Sequence, residues 1–430
     1  MSTSSSDSPS RRYVERLAAV AAAAAIMVTA SAAALPPSPT PFTPPGPAKP
    51  ASPHCEDVCL AAPVQPAKPE VDSATLDRLR DDVRAVHATG VVGVLGEVDT
   101  RSGRLPARSG VADLTTKKAI PLNGYFRIGS TTKTFVATVV LQLVGEGKLS
   151  LDDTVDMWLP GVVRGNGNDG REIIVRQLLQ HTSGIPEYLR PATSVDQWRQ
   201  AQLRTWQPEQ LVALAMEHKP SFEPGAKWGY SNTNYVLAGM IIRKVTGRTW
   251  GEEIERRILT PLAMRHTVIP GADPRLPNPH AKAYTRFTPD GPLTDVTTHN
   301  QSLGDAAGAM ISTTGDLNRF FRALLSGRLL APAQLADMKK TVPAKALQDM
   351  GVAGAAYGLG LMYQPLSCGG GYWGHGGDEA GFSTRVGAVP GGGRSVAVEV
   401  TSRSPADLEA LLHTDRALTT LVDHALCGTS

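Results

Sequence analysis

The sequence predicts an α/β fold in which one sheet is built from both ends of the chain and a helical subdomain is inserted between them. Three observations predict it. An apolar run over residues 91–98 is typical of a buried strand near the start of the domain. Val396, Val398 and Val400 alternate as in a half-buried strand near its end. Between them, roughly residues 134–340 carry mostly helical patterns separated by long loops.

A helix is predicted at each end of this sheet-forming region. Before the first strand, apolar residues recur at helical spacing at Leu76, Leu79, Val83 and Val86. A second strand is predicted after Arg104. After the last strand, a C-terminal helix carries Leu408, Leu411, Leu412, Leu418, Leu421 and Val422.

The N-terminal segment has the features of an export signal. Arg11, Arg12 and Arg16 precede a weakly apolar run that ends in Ala-rich cleavage patterns, so residues 1–34 are predicted to be a signal peptide. An uncleaved membrane anchor is the alternative, because the run approaches spanning length. Residues 35–70 are dense in Pro and are predicted to be a disordered linker.

Residues 71–428 are predicted to form the folded domain, with its helical subdomain at about residues 145–300. Export implies a secreted protein on the cell-wall side of the membrane.

The 43 Lys and Arg residues and 40 acidic residues are scattered along the 430-residue chain, and the net charge is only +3. This distribution gives no electrostatic reason to expect a nucleic-acid partner.

An exported protein can form disulfides, and the chain has four cysteines. Cys368 lies just before a predicted sheet region and Cys427 just after the last helix, and we predict that they pair. Cys55 and Cys59 lie in the Pro-rich segment, where they can close a small local loop. Metal binding is the weaker alternative, because no His/Cys spacing of a zinc site accompanies them, and no metal or cofactor is expected.

The first chemical motif is Ser130-x-x-Lys133 at the start of a predicted helix. Residues three apart share a helix face, so the hydroxyl and the amine can meet. A Ser hydroxyl is a poor nucleophile that needs a neighbouring base. The helix N-terminus also favours the negative charge of a tetrahedral intermediate. A bare SxxK arises by chance about once in a chain of this length, so a helix-capping Ser with a solvated Lys is the alternative.

The second motif is Tyr230-x-Asn232, on a polar turn before another helix. A phenol beside an ammonium is favoured as phenolate, which makes Tyr230 a candidate general base. Asn232 offers an amide that can both donate to and accept from a substrate peptide group. The alternative is a helix cap at Asn232 with Tyr230 as a core residue.

The third motif is His375-Gly376-Gly377-Asp378, between strand-like stretches. Glycines allow the backbone to approach a ligand closely, and a strand-edge N–H can complete an oxyanion hole. His375 can donate to the Tyr–Ser pair. The alternative is a structural His in a Gly-rich turn.

Ser130-x-x-Lys133, Tyr230-x-Asn232 and His375-x-Gly377 occur in the order and spacing of the serine β-lactamase-related, penicillin-recognising family. A Ser nucleophile in an SxxK motif is characteristic of such enzymes. The resemblance covers roughly residues 75–428 and is strongest to secreted D-alanyl-D-alanine carboxypeptidases. It implies the β-lactamase/DD-peptidase fold, with an antiparallel sheet flanked by helices.

The resemblance also implies the roles of the site residues. Ser130 is the nucleophile, and Lys133 and Tyr230 are a coupled proton-transfer unit. Asn232 holds the substrate amide, and His375 stands where many relatives place the Lys of a KTG motif. The backbone N–H groups of Ser130 and Asp378 form the oxyanion hole. His181 is expected to be structural.

The sequence departs from its nearest relatives where they bind a substrate carboxylate. Those relatives carry two Thr residues and an Arg at the positions of Gly376, Asp378 and Met362. An anionic Asp378 near a substrate carboxylate would repel it. Arg385, on the following strand, can compensate only if it faces the site.

The sequence therefore predicts a secreted serine hydrolase that works through an acyl-enzyme on a peptide or small acyl substrate, with β-lactams as covalent inhibitors. D-alanyl-D-alanine carboxypeptidase activity on cell-wall peptides is the first hypothesis. An esterase or amidase is the second, and a D-aminopeptidase in which Asp378 meets a substrate amine is the third. A non-catalytic penicillin-binding sensor is the alternative from another class. The oligomeric state is not predicted.

Overall fold

The computed structural model describes residues 72–190, 192–349, 352 and 354–428. The predicted signal peptide, the Pro-rich segment, Cys55 and Cys59 lie outside the described residues. Within the described part, the predicted α/β architecture is confirmed: both chain ends contribute to one antiparallel sheet.

The main sheet is formed by eight strands from the two ends of the domain. They are β1 (Gly93–Thr100), β2 (Gly103–Gly110), β9 (Val342–Pro343), β10 (Ala356–Tyr357), β11 (Met362–Pro365), β12 (Gly371–Glu379), β13 (Phe382–Ala388) and β14 (Ser395–Val400). Their order across the sheet is β2-β1-β14-β13-β12-β11-β10-β9. The first and last strands of the domain are direct neighbours, with Val94 opposite Val400.

Three further strand pairs lie outside the main sheet. They are β3 (Phe126–Arg127) with β8 (Ile311–Ser312), β4 (Arg164–Gly165) with β5 (Asn168–Asp169), and β6 (Tyr284–Thr285) with β7 (Thr294–Asp295). The β3–β8 pair is the one that leads into the segment of Ser130.

The α-helices occur at both ends of the domain and throughout its middle. They are α1 (Ser73–His87), α2 (Thr132–Gly145), α3 (Val155–Trp158), α4 (Val175–Gln180), α5 (Val195–Ala201), α6 (Pro208–Met216), α7 (Thr233–Thr246), α8 (Trp250–Ile254), α9 (Asp305–Gly308), α10 (Thr314–Leu325), α11 (Pro332–Met338), α12 (Lys345–Asp349) and α13 (Leu408–Cys427). Single turns of other helix types occur at Gly129–Thr131, Glu255–Leu259, Gln301–Leu303 and Pro390–Gly392.

Helices cover both faces of the sheet. On one face, α1 and α13 pack against the sheet through residues such as Val83, Leu421 and Val398. On the other face, α10 and α2 belong to the large core that continues into the middle of the chain. Strand β14 was predicted to be half-buried, but all six of its residues are buried. The prediction was wrong because alternation in the sequence does not reveal that α10 covers the second face.

The middle of the chain is less regular than predicted. Helices α3 to α8 account for much of residues 145–254, but residues 260–300 are mostly loops with the short β6–β7 pair. Those loops close over the strand that leads to Ser130.

Cys368 and Cys427 form a disulfide, with Cα atoms 5.8 Å apart, that ties the end of α13 to the loop before β12. No helix within the described part of the chain has the length and apolar character that crossing a membrane requires.

Candidate active site

Ser130 lies on a single helical turn, Gly129–Thr131, that leads directly into α2. Gly129 has φ +48°, and a Cβ there would lie 2.9 Å from the carbonyl oxygen of Asp378. Only glycine combines this backbone conformation with so close an approach. The close approach places the start of α2 against strand β12, so that the first and third sequence motifs meet.

A buried arginine holds the strand that precedes this turn. Arg127 is fully buried, and its Nη2 donates to the carbonyl oxygens of Pro274, Thr297 and His299 at 2.7, 3.0 and 3.0 Å. Burial lowers the pKa of this guanidinium to about 10, so it remains charged at neutral pH. Arg127 therefore fastens the loops of residues 270–300 to the strand that leads to Ser130.

Two side chains, one from the first motif and one from the second, contact the Ser130 hydroxyl. Nζ of Lys133 lies 3.0 Å from Ser130 Oγ, and the Tyr230 hydroxyl lies 2.7 Å from the same oxygen. Lys133 is fully buried and Ser130 is only 8% exposed. The serine hydroxyl can therefore exchange a proton with either partner within hydrogen-bond distance.

Lys133 is placed to act as the base. Burial lowers the pKa of its amine to about 7 against the opposing effect of Glu187 and Glu379. Nζ also donates to Asn232 Oδ1 at 2.7 Å and to the carbonyl oxygen of Ala307 at 2.8 Å. A neutral amine has two N–H groups and one lone pair. The two carbonyl acceptors take both N–H groups, which leaves the lone pair for the proton of Ser130.

The surroundings of Tyr230 do not favour the phenolate that the sequence suggested. Burial raises the pKa of the Tyr230 phenol well above its ordinary value, and the nearby Tyr357 adds to this effect. The proximity of Lys133 does not stabilise a phenolate here, because burial also favours the neutral form of that amine. Tyr230 is therefore a neutral phenol that donates to Ser130 Oγ.

Asn232 is oriented by a carboxylate that the motifs did not include. Oε2 of Glu187 accepts from the backbone N–H and from Nδ2 of Asn232, at 2.8 and 2.9 Å, and Oε1 accepts from the N–H of Leu189 at 2.8 Å. Burial raises the pKa of the Glu187 carboxyl from its ordinary value, but its three partners are all donors. The pair directs Asn232 Oδ1 at Lys133 and leaves one hydrogen on Nδ2 for a substrate carbonyl.

His375 lies on strand β12, and both of its ring nitrogens are engaged away from Ser130. Nε2 lies 2.9 Å from the hydroxyl of Tyr357, a residue of β10, and Nδ1 lies 2.5 Å from the carbonyl oxygen of Gly376. Burial lowers the pKa of the imidazole to about 3, so His375 is neutral. The expected hydrogen bond from His375 to the Tyr–Ser pair is replaced by the one to Tyr357, because strand β10 places that phenol beside the imidazole.

The predicted oxyanion hole lies where Gly129 and Gly377 bring two backbone segments together. A Cβ at Gly377 would lie 1.9 Å from the carbonyl oxygen of Ile128, so glycine is required there also. A Cβ at Gly129 would lie 3.1 Å from the backbone nitrogen of Asp378. The backbone N–H groups of Ser130 and Asp378 therefore belong to segments in direct contact, as a shared oxyanion site needs.

The side chain of Asp378 lies in an ion-pair cluster with both nearby arginines. Oδ1 lies 3.1 Å from Nη1 of Arg385 and 3.1 Å from Nε of Arg403. Burial alone would raise the pKa of this carboxyl, but the two guanidinium groups outweigh it and hold the pKa at about 2. Asp415 on α13 binds the other side of both arginines, at 2.7 and 3.3 Å. Arg385 is thus already paired and does not stand as a free carboxylate receptor.

His181 packs behind the Tyr230 phenol. Its Nδ1 lies 3.1 Å from Nδ2 of Asn234 and accepts from the N–H of Ser231 at 3.3 Å. Burial holds the pKa of the imidazole well below its ordinary value. The centre of the imidazole lies 4.3 Å from the centre of the Tyr230 ring, so His181 restrains the position of that phenol.

Three groups of the site were missed by sequence reasoning: the Glu187 carboxylate, the Ala307 carbonyl and the Tyr357 hydroxyl. Glu187 had a weak signal, since it is an acidic residue in the otherwise uncharged stretch 184–189. Tyr357 begins a Tyr-Gly-Leu-Gly segment, whose two glycines allow other parts of the chain to approach its backbone closely. A backbone carbonyl leaves no signal in side-chain motifs. Among the described residues, no group of three or more His, Cys, Asp or Glu side chains is arranged to hold a metal ion.

The fold and the arrangement of Ser130, Lys133 and Tyr230 define a serine hydrolase of the penicillin-recognising type. The family model described as Beta-lactamase matches residues 79–421, and the chain belongs to this family.

Two solved structures resemble nearly the whole described domain. A D-stereospecific amidohydrolase from a Streptomyces species is 41% identical, with a TM-score of 0.73 over 82% of this chain and 99% of that chain. A D-amino acid amidase from Ochrobactrum anthropi SV3, complexed with L-phenylalanine amide, is 27% identical, with a TM-score of 0.68 over 80% of this chain and 99% of that chain.

Among curated proteins, Penicillin-binding protein 4* of Bacillus subtilis is 34% identical over 160 residues. That match covers 37% of this chain and 33% of that protein. The matched part therefore spans about a third of the length of such relatives.

Proposed function

We propose that this protein is a D-stereospecific amidohydrolase that cleaves amide or ester bonds of D-aminoacyl substrates lacking a free carboxylate beside the scissile bond. The observation that carries the proposal is the charge pattern around Ser130. Carboxylates adjoin the site, whereas the arginines near it are already engaged. The proposal is also supported by the two structural relatives, whose names describe activity on D-amino acid amides or D-stereospecific hydrolysis.

In the first half of the reaction, Lys133 accepts the proton of Ser130 as Oγ attacks the substrate carbonyl. The tetrahedral oxyanion accepts from the backbone N–H groups of Ser130 and Asp378. The Tyr230 phenol gives its proton to the departing amine. The resulting phenolate then takes a proton from the Lys133 ammonium. The C–N bond breaks, the amine leaves, and an ester of Ser130 remains.

In the second half, water replaces the amine. The water loses a proton to the coupled Lys133 and Tyr230 side chains and attacks the ester carbonyl. The C–O bond to Ser130 breaks, Oγ recovers its proton, and the carboxylic acid leaves. Amide and water are thus converted to acid and amine, with Lys133 and Tyr230 returned to their starting protonation states.

The carboxyl group of Glu187 favours a substrate with a positive charge near Asn232. Glu187 is only partly buried and adjoins both Asn232 and Lys133. It makes no ion pair with Arg or Lys within 4 Å among the described residues, so a negative charge on Glu187 would not be cancelled by a paired cation and would attract a substrate ammonium through Asn232. The α-ammonium of a free amino-acid amide has that charge, and it is absent from an N-acylated peptide.

D-alanyl-D-alanine carboxypeptidase activity is the second candidate. It is favoured by the similarity to a penicillin-binding protein and by the Ser–Lys–Tyr site. Secretion to the cell-wall side of the membrane, proposed from the N-terminal segment, gives this activity a substrate. The engaged state of Arg385 and Arg403 argues against it, because a terminal carboxylate needs a cationic receptor.

The test is a substrate panel on the purified protein, with Ser130→Ala as the inactive control. We expect hydrolysis of D-phenylalanine amide to exceed that of L-phenylalanine amide, of N-acetyl-D-phenylalanine amide and of a peptide ending in D-Ala-D-Ala. Faster cleavage of the D-Ala-D-Ala peptide would establish the second candidate instead. Equal rates for the free and N-acetylated amides would contradict the proposed attraction between Glu187 and a substrate ammonium.

A further inference from the structure

The ion-pair cluster around Asp378 lies beside the turn that carries Ser130, because the backbone of Asp378 packs against Gly129. Gly376 and Asp378 are two residues apart on β12, so their side-chain positions share one face of the sheet. Arg385 is the cross-strand neighbour of Gly376. Its Nη1 lies 3.4 Å from where a Cβ at Gly376 would be, so the guanidinium fills the space that the missing side chain leaves.

One oxygen of Asp378 carries most of the contacts in this cluster. Oδ1 accepts from Ser383 Oγ at 2.7 Å, and from Arg385 and Arg403 at 3.1 Å each. Two guanidinium groups and a hydroxyl around one carboxylate oxygen are the donors that a bound substrate carboxylate would use. The carboxylate that they hold belongs to the protein itself.

The cluster is electrically balanced and only partly open to water. Arg385 and Arg403 carry two positive charges, and Asp378 and Asp415 carry two negative charges. The arginine side chains are 23% and 14% exposed and that of Asp378 is 28% exposed. A second carboxylate entering this space would meet Asp378 with no unpaired cation in the cluster to offset the repulsion.

We propose that Asp378 is a built-in occupant of a latent carboxylate clamp formed by Arg385, Arg403 and Ser383, and that it excludes substrates with a free carboxylate at this position. The backbone N–H of Asp378 serves the oxyanion, while its side chain sets the leaving-group preference. Removal of the Asp378 charge leaves the two arginines paired with Asp415 alone, so that the cluster gains a net positive charge that can bind a carboxylate-terminated leaving group. This inference rests on the proposed function and assigns its leaving-group preference to one residue.

The experiment compares two peptides that differ only at the C-terminus, one ending in D-Ala-D-Ala carboxylate and the other in D-Ala-D-Ala amide. Release of D-Ala or D-Ala amide is measured for the wild type, Asp378→Ser and Asp378→Asn. In both variants we expect the ratio of carboxylate to amide cleavage to rise by about tenfold or more, since charge-assisted hydrogen bonds are gained by one substrate only. The rate of covalent labelling by a fluorescent penicillin, which also carries a carboxylate, should rise in parallel.

Two controls separate arginine release from a simple loss of negative charge. Glu379→Gln removes a charge one residue further along, from a side chain that faces His299 rather than the arginines, and should leave the ratio unchanged. Asp378→Ser combined with Arg385→Gln should return the ratio toward that of the wild type. An unchanged ratio in both folded Asp378 variants, an equal rise in Glu379→Gln, or a gain that survives Arg385→Gln would overturn the inference.

Failure of this inference can be told apart from failure of the proposed function. If D-amino acid amides are not hydrolysed, the proposed function fails. The peptide pair and the penicillin-labelling rate still report on Asp378, because both depend only on acylation of Ser130.

Discussion

The carbonyl oxygen of Ala307 lies 2.8 Å from Nζ of Lys133 and accepts one of its N–H groups. These residues are 174 positions apart in the chain, and Ala307 comes from the four-residue helix α9. With Asn232 Oδ1 as the second acceptor, this carbonyl fixes the direction of the amine. The lone pair of neutral Lys133 therefore points to Ser130 before any substrate binds.

The first prediction concerns the base. Because burial lowers the pKa of Lys133 to about 7, acylation should accelerate as pH rises through about 7 and then level off. Lys133→Arg keeps a charge that cannot be lost at these pH values, and should slow acylation by about 10²–10⁴-fold. Stopped-flow labelling with a fluorescent penicillin from about pH 5 to about pH 9 measures both effects. A flat wild-type profile would contradict the assignment.

The second prediction separates the two phenols. Tyr230→Phe removes the proton donor 2.7 Å from Ser130 Oγ and should lower kcat by about 10²–10⁴-fold. Tyr357→Phe is the matched control, since it removes a hydroxyl that contacts His375 rather than Ser130. We expect the control to lower kcat by only about tenfold, as for the loss of one positioning hydrogen bond. Equal losses in the two variants would mean that Tyr230 is not the direct proton donor.

The third prediction concerns Glu399, a buried acid in the centre of the sheet. It is 1% exposed, and neither carboxyl oxygen has a hydrogen-bond partner among the described residues. Burial raises the pKa of this carboxyl well above its ordinary value of 4.5. The folded protein therefore keeps the proton to higher pH than the unfolded chain does. Its contribution to stability is full below the unfolded pKa and is lost as pH rises toward the folded pKa.

Glu399→Gln removes this dependence because its amide does not ionise. At about pH 8 we expect the variant to be about 1–3 kcal/mol more stable than the wild type, with a smaller difference at about pH 5. Urea unfolding at both pH values measures the free energies. Glu217→Gln, at an exposed position, is the control and should show neither effect. Parallel pH dependence of the wild type and Glu399→Gln would contradict the prediction.

The fourth prediction concerns the disulfide. Cys368 and Cys427 close a loop with a sequence separation of 59 residues. Replacing both with Ser should lower the free energy of unfolding by about 2–4 kcal/mol, because the unfolded chain gains conformational freedom. A hydrogen bond of 2.7 Å from the N–H of Ser367 to Asp423 still joins the two segments in the variant. Penicillin labelling at room temperature should therefore persist, and loss of labelling in a folded variant would show that the disulfide shapes the site.

Local patterns in the sequence were enough to predict the elements whose causes are local. Apolar periodicity placed the first and last helices around a sheet from both chain ends, and the spacing of Ser130 and Lys133 placed both side chains on one helix face. The glycine of the third motif, Gly377, marked a position of close backbone approach. Each of these features depends on residues within a few positions of one another, so the chain pattern carries them.

The effect of burial on the chemistry of these groups depends on how distant segments pack together. This packing favours Lys133 rather than Tyr230 as the candidate base, engages His375 with Tyr357, and sets Glu187 behind Asn232. It also pairs Asp378 with two arginines and covers the second face of β14. These outcomes depend on the removal of water and on contacts between segments that are distant in the chain, and neither is encoded in local spacing.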